Sequence, residues 1–113
     1  MKAAHALVGA ELRAGETLFA TVLTKVEILG GMRPSEERTT RRLFDGVLWM
    51  EVTDAIAEDA AAYARSYAKS HRAIDVVDYV IAATRDDLGV PLWTLNVRHF
   101  PMFPDLAAPY AAT

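Results

Sequence analysis

Three short apolar runs alternate with segments of helical pattern, and this alternation limits the fold more than any other feature of the sequence. The runs at 17–23, 47–52 and 90–95 are apolar and contain β-branched and aromatic residues, which is typical of buried strands. Strands that alternate with helices along a chain indicate an α/β layer built on a parallel sheet. We therefore predict an α/β fold with a short parallel sheet flanked by helices.

The predicted helices begin and end at recognisable residues. Apolar residues at helical spacing predict a helix over 3–14, which Gly15 ends. Thr24 is predicted to cap a helix that runs to about Met32. The remaining helices are predicted at about 34–44, 54–70 and 76–88, with N-caps at Thr53 and Asp75 and a stop at Gly89.

Length, charge and cysteine content limit the function classes. The 113 residues suit a single domain over 1–113, and the formal net charge of −3 gives no sign of a nucleic-acid-binding surface. An enzyme that cuts RNA with a metal ion can still be acidic, because its ligands are acids. The absence of cysteine excludes disulfides and Cys-based zinc sites and is compatible with a reducing cytoplasm. No apolar run has the length of a membrane span, and the N-terminus does not look like a signal peptide.

Two acids, Glu27 and Asp78, are placed near predicted helix N-termini. Each lies three residues after a candidate cap, Thr24 or Asp75, and so fits a capping box. Hard cations such as Mg²⁺ prefer oxygen ligands, so the same carboxylates suit a metal site. From spacing alone, capping is the better-supported interpretation of both pairs and metal binding is the alternative.

Two further polar residues, Asn96 and His99, follow the third predicted strand. Sites in open α/β sheets lie beyond the carboxyl ends of the strands, so we expect these residues and Glu27 at one sheet edge. Taken alone, Asn96 is most simply a turn residue and His99 a surface or packed residue. The functional alternatives are an amide that orients a carboxylate or water, and an imidazole that binds metal or contacts phosphate.

Four arginines cluster around the third predicted helix, at about 34–44. A solvated helix face with an ion pair between Glu37 and Arg41 is the favoured interpretation, and contact with an RNA backbone or a partner is the alternative. The arginines are Arg33, Arg38, Arg41 and Arg42.

Three segments, taken in order, resemble PIN-domain ribonuclease toxins of the VapC type. Residues 19–33 (FATVLTKVEILGGMR) look like the segment that carries the second acid of that family. Residues 75–84 (DVVDYVIAAT) resemble its third-acid helix, and residues 89–100 (GVPLWTLNVRHF) resemble its last strand and the following loop. The similarity covers nearly the whole chain.

The resemblance implies an endoribonuclease of a toxin–antitoxin pair that depends on Mg²⁺ or Mn²⁺. It implies Glu27 and Asp78 as metal ligands, with Asp75, Asn96 and His99 as lesser contributors that orient ligands or contact phosphate. In the family mechanism the ion activates a water and stabilises charge on the phosphate. The implied partners are an RNA substrate, a small antitoxin that wraps the site and a second copy of the chain, with no membrane.

The sequence departs from the family pattern in two places. Family members open with a central strand that ends in Asp-Thr-Ser or similar, whereas nothing before Glu11 is acidic here and no strand is predicted before the first helix. The fourth acidic position aligns with His99, and His occurs there in a subgroup of the family. We therefore interpret the chain as N-terminally shortened, lacking the first acid.

The missing strand has predicted consequences for structure and activity. Without a central strand, 18–22 and 92–95 are expected to bridge directly, to pair with another protomer, or to flank a groove. We also expect slower RNA cleavage than in a form that carries the Asp-bearing strand. The alternatives are a non-catalytic PIN remnant that binds an antitoxin or a second copy, and an unrelated helical structural domain.

Overall fold

The computed structural model describes residues 10–14, 17–94, 97–104 and 106. Its strands are β1 (Ala10–Ala14), β2 (Thr17–Thr21), β3 (Val47–Met50) and β4 (Leu92–Thr94), and its α-helices are α1 (Val22–Gly31), α2 (Glu37–Asp45), α3 (Asp54–Tyr67) and α4 (Val76–Leu88). Two short 3₁₀ turns, Pro34–Glu36 and Val97–His99, precede α2 and follow β4. None of the described helices is long and apolar enough to span a bilayer.

The strands form one four-stranded mixed sheet in the order β3-β2-β1-β4. β2 pairs in parallel with β3, while β1 pairs antiparallel with both β2 and β4. β2, β3 and β4 therefore run in the same direction, and their carboxyl ends lie at one edge of the sheet. The predicted α/β class is confirmed, and this arrangement is compatible with a PIN-like domain.

The first described strand, β1, corrects the prediction for the N-terminal segment. A helix was predicted over 3–14, but Ala10–Ala14 is a strand; residues 3–9 and Gly15 lie outside the described residues. Leu12 pairs with Phe19 on one side and with Leu92 on the other. Ladder partners on both sides outweigh the helical preference of an Ala-rich segment, because local propensity is weaker than tertiary pairing.

The predicted gap in the middle of the sheet is also wrong, because β1 fills it. β2 and β4 neither bridge directly nor flank an open groove, since each pairs with β1. The sheet is mixed rather than parallel because β1 runs against both neighbours. The sequence of β1, AELRA, does not supply the Asp that ends the family's first strand.

The helices cover both faces of the sheet, which gives three layers. Leu18 and Ala20 of β2 pack in one core cluster with residues of α1 and α2, whereas Phe19 packs in a second cluster with residues of α4. Alternate residues of a strand point to opposite faces, so these two clusters lie on opposite sides of the sheet. A third cluster joins α3 to α4.

The later helices follow their local signals closely. α3 has Thr53 as its N-cap, whose hydroxyl accepts from the Ile56 amide, and it ends at Tyr67 rather than at residue 70. α4 has Asp75 as its N-cap and ends at Gly89, which adopts a left-handed φ of 66°. Glycine adopts a left-handed backbone at little cost, so the sequence correctly predicted where α4 ends.

Candidate functional site

Glu27 lies in the second turn of α1 because the helix begins earlier than predicted. Thr21, the last residue of β2, is the N-cap, and its hydroxyl accepts a hydrogen bond from the Thr24 amide at 3.3 Å. The predicted cap at Thr24 is therefore wrong; Thr24 is buried in the first helical turn. Because Thr21 already supplies the capping oxygen, Glu27 does not close a capping box.

The Glu27 carboxylate has no hydrogen bond or ion pair within the part of the chain that the structure describes. Its pKa is raised by burial first and then by the negative charges of Asp75 and Asp78. The negative charges of Asp75 and Asp78 reach the Glu27 carboxylate, so the three acids belong to one region of the structure. A bound cation would relieve this repulsion.

Asp75 and Asp78 form the predicted capping box. The Asp78 amide donates to Asp75 Oδ1 at 3.1 Å, and the Asp75 amide donates to Asp78 Oδ2 at 3.3 Å. The capping interpretation is therefore confirmed for this pair. The two amide bonds fix the first turn of α4 and, with it, the direction of the Asp78 carboxylate.

Asp78 makes a second contact, with His99. His99 Nδ1 lies 3.1 Å from Asp78 Oδ2, and the two side chains are 32% and 15% exposed. The pKa of Asp78 is raised by burial and then by Asp75, while the Asp75 amide and His99 act in the opposite direction. Asp78 Oδ1 has no hydrogen-bond partner among the described residues, so it remains accessible to a ligand.

The sheet direction explains why these residues meet. α1 follows the carboxyl end of β2, and the turn that carries His99 follows β4 at the same edge. The structure thus brings Asp78 beside His99 and within the electrostatic reach of Glu27 and Asp75. The remaining candidate, Asn96, lies outside the described residues.

The donor set suits an open metal site rather than a closed one. Among the described residues, no group of three or more His, Cys, Asp or Glu side chains is arranged to hold a metal ion. Mg²⁺ commonly uses one or two carboxylates and completes its shell with water and substrate phosphates. Glu27 and Asp78 fit this mode of binding, in which the protein supplies only part of the coordination.

Sequence reasoning missed a network on the C-terminal side of the site. Tyr63 Oη donates a hydrogen bond to Asp86 Oδ2, and Arg85 Nη1 donates to Asp86 Oδ1 at 3.2 Å. The Arg85 guanidinium also covers the ring of Phe103, with Cζ 4.3 Å from its centroid. These residues belong to three separate segments, so no local sequence pattern predicts their contact.

The arginines around α2 behave as a solvated face. All four are exposed, and Arg41 Nη2 lies 3.9 Å from Glu37 Oε2 with both side chains more than half exposed. This ion pair agrees with the favoured interpretation.

An apolar groove of about 390 Å³ lies between α3 and α4 and extends to α1. Leu23, Val76, Tyr79 and Val80 are among its lining residues. Val76 is 71% exposed although it directly follows Asp75 in the chain. Exposed apolar patches are common where another protein binds.

Comparison with known proteins identifies relatives that match most of the chain. The chain is 46% identical over 108 residues to Ribonuclease VapC19 of Mycobacterium tuberculosis, which covers 96% of this chain and 86% of the relative. It is 43% identical over 94 residues to Ribonuclease VapC10 of the same organism, covering 83% of this chain and 71% of that relative. No protein-family model matches the chain, and no solved structure matches it significantly.

Proposed function

This chain belongs to the VapC family, and on that premise we propose that it is the endoribonuclease toxin of a toxin–antitoxin pair, cleaving RNA phosphodiester bonds with Mg²⁺ or Mn²⁺. The observation that carries the proposal is the grouping of Glu27 with Asp75 and Asp78: burial and then the charges of the two aspartates raise the pKa of Glu27. Two carboxylates of this group, those of Glu27 and Asp78, suit a divalent cation that completes its coordination with water and a substrate phosphate.

Each residue of the site has a separate role in this proposal. Glu27 and Asp78 hold the ion, which when bound neutralises charge on the phosphate and lowers the pKa of a water molecule. Asp75 fixes the first turn of α4 and thereby orients Asp78. His99 holds Asp78 Oδ2 through Nδ1, and the carboxylate would help to hold the ion. Asn96 stays a predicted contributor that orients a ligand or water.

The proposed partners are RNA, a cognate antitoxin protein and a second copy of the chain. The apolar groove beside Val76 is the described surface that suits a protein partner, because it lies next to the acids. An occupant of this groove would contact Val76 and Tyr79, the residues that follow Asp75 and Asp78 in the chain.

RNA cleavage with and without divalent cation tests the proposal. We expect cleavage in Mg²⁺ or Mn²⁺ that EDTA abolishes, and a loss of at least about 100-fold in Glu27→Gln and in Asp78→Asn, because displaced or missing ligands misplace the reacting groups. Glu58→Gln removes an exposed acid of α3 and is the matched control, with an expected rate close to wild type.

Thermal unfolding provides a readout that does not depend on turnover. Mg²⁺ should raise the Tm of the wild type because it binds only the folded site and relieves repulsion there. The rise should vanish in Glu27→Gln and persist in Glu58→Gln. Cleavage that persists in EDTA would refute the metal-dependent proposal. Equal cleavage rates in the wild type and in the Glu27→Gln, Asp78→Asn and Glu58→Gln variants would also refute it.

A second candidate, a non-catalytic binding module, draws support from one observation. The described residues contain no group of three or more potential metal ligands. This candidate predicts that the chain forms a dimer or a stable complex with an antitoxin, yet cleaves no RNA under any divalent cation. Size measurement in solution, run beside the cleavage assay, separates the two candidates.

A further inference from the structure

The segment that carries His99 contacts one face of α4 at two points. At the first point, His99 Nδ1 lies 3.1 Å from Asp78 Oδ2. At the second, the Arg85 guanidinium covers Phe103 at 4.3 Å from the ring centroid. Asp78 and Arg85 lie on the same face of α4, about two turns or roughly 10 Å apart along its axis. The segment from His99 to Phe103 therefore runs along α4 between these two contacts.

Phe103 is contacted on several sides, which fixes its ring. Tyr63 of α3 meets the ring edge-on, with centroids 6.3 Å apart and an interplanar angle of 78°. Phe100 stacks almost parallel to it, at 6.4 Å and 10°. The Phe103 amide also donates to the Phe100 carbonyl at 3.0 Å, which closes a tight turn between the two rings.

The two side chains that orient Phe103 are joined through one carboxylate. Asp86 accepts from Arg85 Nη1 at 3.2 Å and from the Tyr63 hydroxyl. The guanidinium above the ring and the tyrosine at its edge are thus held together, and α3 and α4 both determine where Phe103 lies.

Phe100, which is next to His99 in the chain, is fixed in the core and so limits where His99 can lie. Phe100 is 1% exposed and belongs to the core cluster that contains Leu12 and Ala82. A single partly exposed hydrogen bond contributes about 1 kcal/mol, which is no more than the entropy cost of ordering one residue. The His99–Asp78 contact therefore needs the aromatic contacts at Phe100 and Phe103 to hold its segment in place.

We propose that Phe103 and Arg85 are positioning residues, which fix the segment 99–103 against α4 so that His99 keeps Asp78 in its binding orientation. The effect of this positioning on RNA cleavage rests on the function proposed above. The positioning itself is a property of the folded chain and is measurable without RNA.

NMR of the histidine side chains tests the positioning directly. Long-range ¹H–¹⁵N spectra at one pH, with the His99 signals assigned from their loss in His99→Gln, should show a hydrogen-bonded Nδ1 in wild type. Phe103→Leu should move this signal to the position of a solvent-exposed histidine. Phe103→Tyr keeps the ring and should restore the wild-type signal. Phe44→Leu, the same change in a core cluster that contains no residue of 97–104, should leave it unmoved.

The cleavage kinetics supply a second readout. We expect Phe103→Leu to lower kcat by about tenfold with KM within about twofold, because small displacements of a reacting group cost rate more than binding. Phe103→Tyr should restore kcat and Phe44→Leu should not reduce it. If Phe103→Leu does not fold, the test uses Arg85→Met in its place. The Arg85 side chain is 39% exposed, so its replacement leaves no cavity in the core.

The outcomes separate this inference from the function it rests on. A wild-type His99 signal together with a wild-type kcat in Phe103→Leu, or in Arg85→Met in its place, overturns the positioning role even if the protein is a ribonuclease. A moved signal in a chain that cleaves no RNA supports the positioning and refutes the proposed function. An equal fall of kcat in Phe44→Leu and Phe103→Leu shows a general stability effect and overturns the inference.

Discussion

At the scale of single residues, the local environment determines how each polar side chain is oriented and how its pKa is shifted. Glu27 and Asp78 share a helix-terminal setting in sequence, yet only Asp78 belongs to a capping box. Asp78 is therefore oriented by the backbone, whereas Glu27 makes no such backbone hydrogen bond among the described residues. The pKa of Glu27 is raised by burial and then by the like charges of Asp75 and Asp78, and a bound cation would relieve this repulsion.

Tyr63 gives a pH prediction with a definite sign. Burial and then its hydrogen bond to Asp86 raise the pKa of Tyr63 to about 12, above its usual 10. A raised pKa in the folded state means that the stabilisation is complete below the unfolded pKa and is lost as the pH rises through the folded one. Wild type should thus be more stable than Tyr63→Phe at pH 9, and the difference should shrink between about pH 10 and 12. Urea unfolding of both proteins at several pH values measures this, and a difference that does not change with pH would contradict it.

At the scale of elements, the helices are set by short-range signals where a signal is unambiguous. α4 has a complete capping box at its start and a left-handed glycine at its end. α1 is less clear, because Thr21 and Thr24 are both candidate caps. The extended backbone of Thr21, with φ −84° and ψ 156°, selects it as the N-cap, and that backbone comes from its place in β2.

The end of α4 provides the prediction at this scale. Gly89→Ala should lower the free energy of unfolding by about 1 kcal/mol, because a Cβ is strained at φ 66°. Gly46→Ala is the matched control: Gly46 follows α2 with φ −92°, and a Cβ there would meet only the Leu43 carbonyl at 3.7 Å, an ordinary contact. Urea unfolding should show no loss in the control, and an equal loss in both variants would contradict the conformational explanation.

At the scale of the whole molecule, β1 joins the two halves of the sheet. It lies between β2, which leads into Glu27, and β4, which leads into His99. Leu12 is 1% exposed and packs in the cluster that also contains Ile81 and Phe100. The distance between the two sides of the candidate site therefore depends on a strand that contributes no site residue.

Leu12→Ala tests this role of β1. We expect the free energy of unfolding to fall by roughly 2–5 kcal/mol, because a buried leucine is lost from the core and a cavity remains. Leu48→Ala, on the edge strand β3 where the side chain is 55% exposed, should cost less than about 1 kcal/mol. Chemical denaturation of both variants provides the comparison. A small loss in Leu12→Ala would show that β1 is not part of the folded core.

The sequence by itself determined the α/β class and the helices α3 and α4, because Thr53, Asp75 and Gly89 act through the nearest turn of the chain. It predicted that α2 begins at Pro34, but Pro34 begins the 3₁₀ turn Pro34–Glu36 and α2 starts at Glu37. It also pointed to Asp78 and Glu27 as candidate site residues, through motifs that lie within single segments. The tertiary structure decided β1, since Ala-rich residues become a strand only when ladder partners exist on both sides. It also decided the contact of His99 with Asp78 and of Phe103 with Arg85, because these pairs join segments that local spacing does not relate.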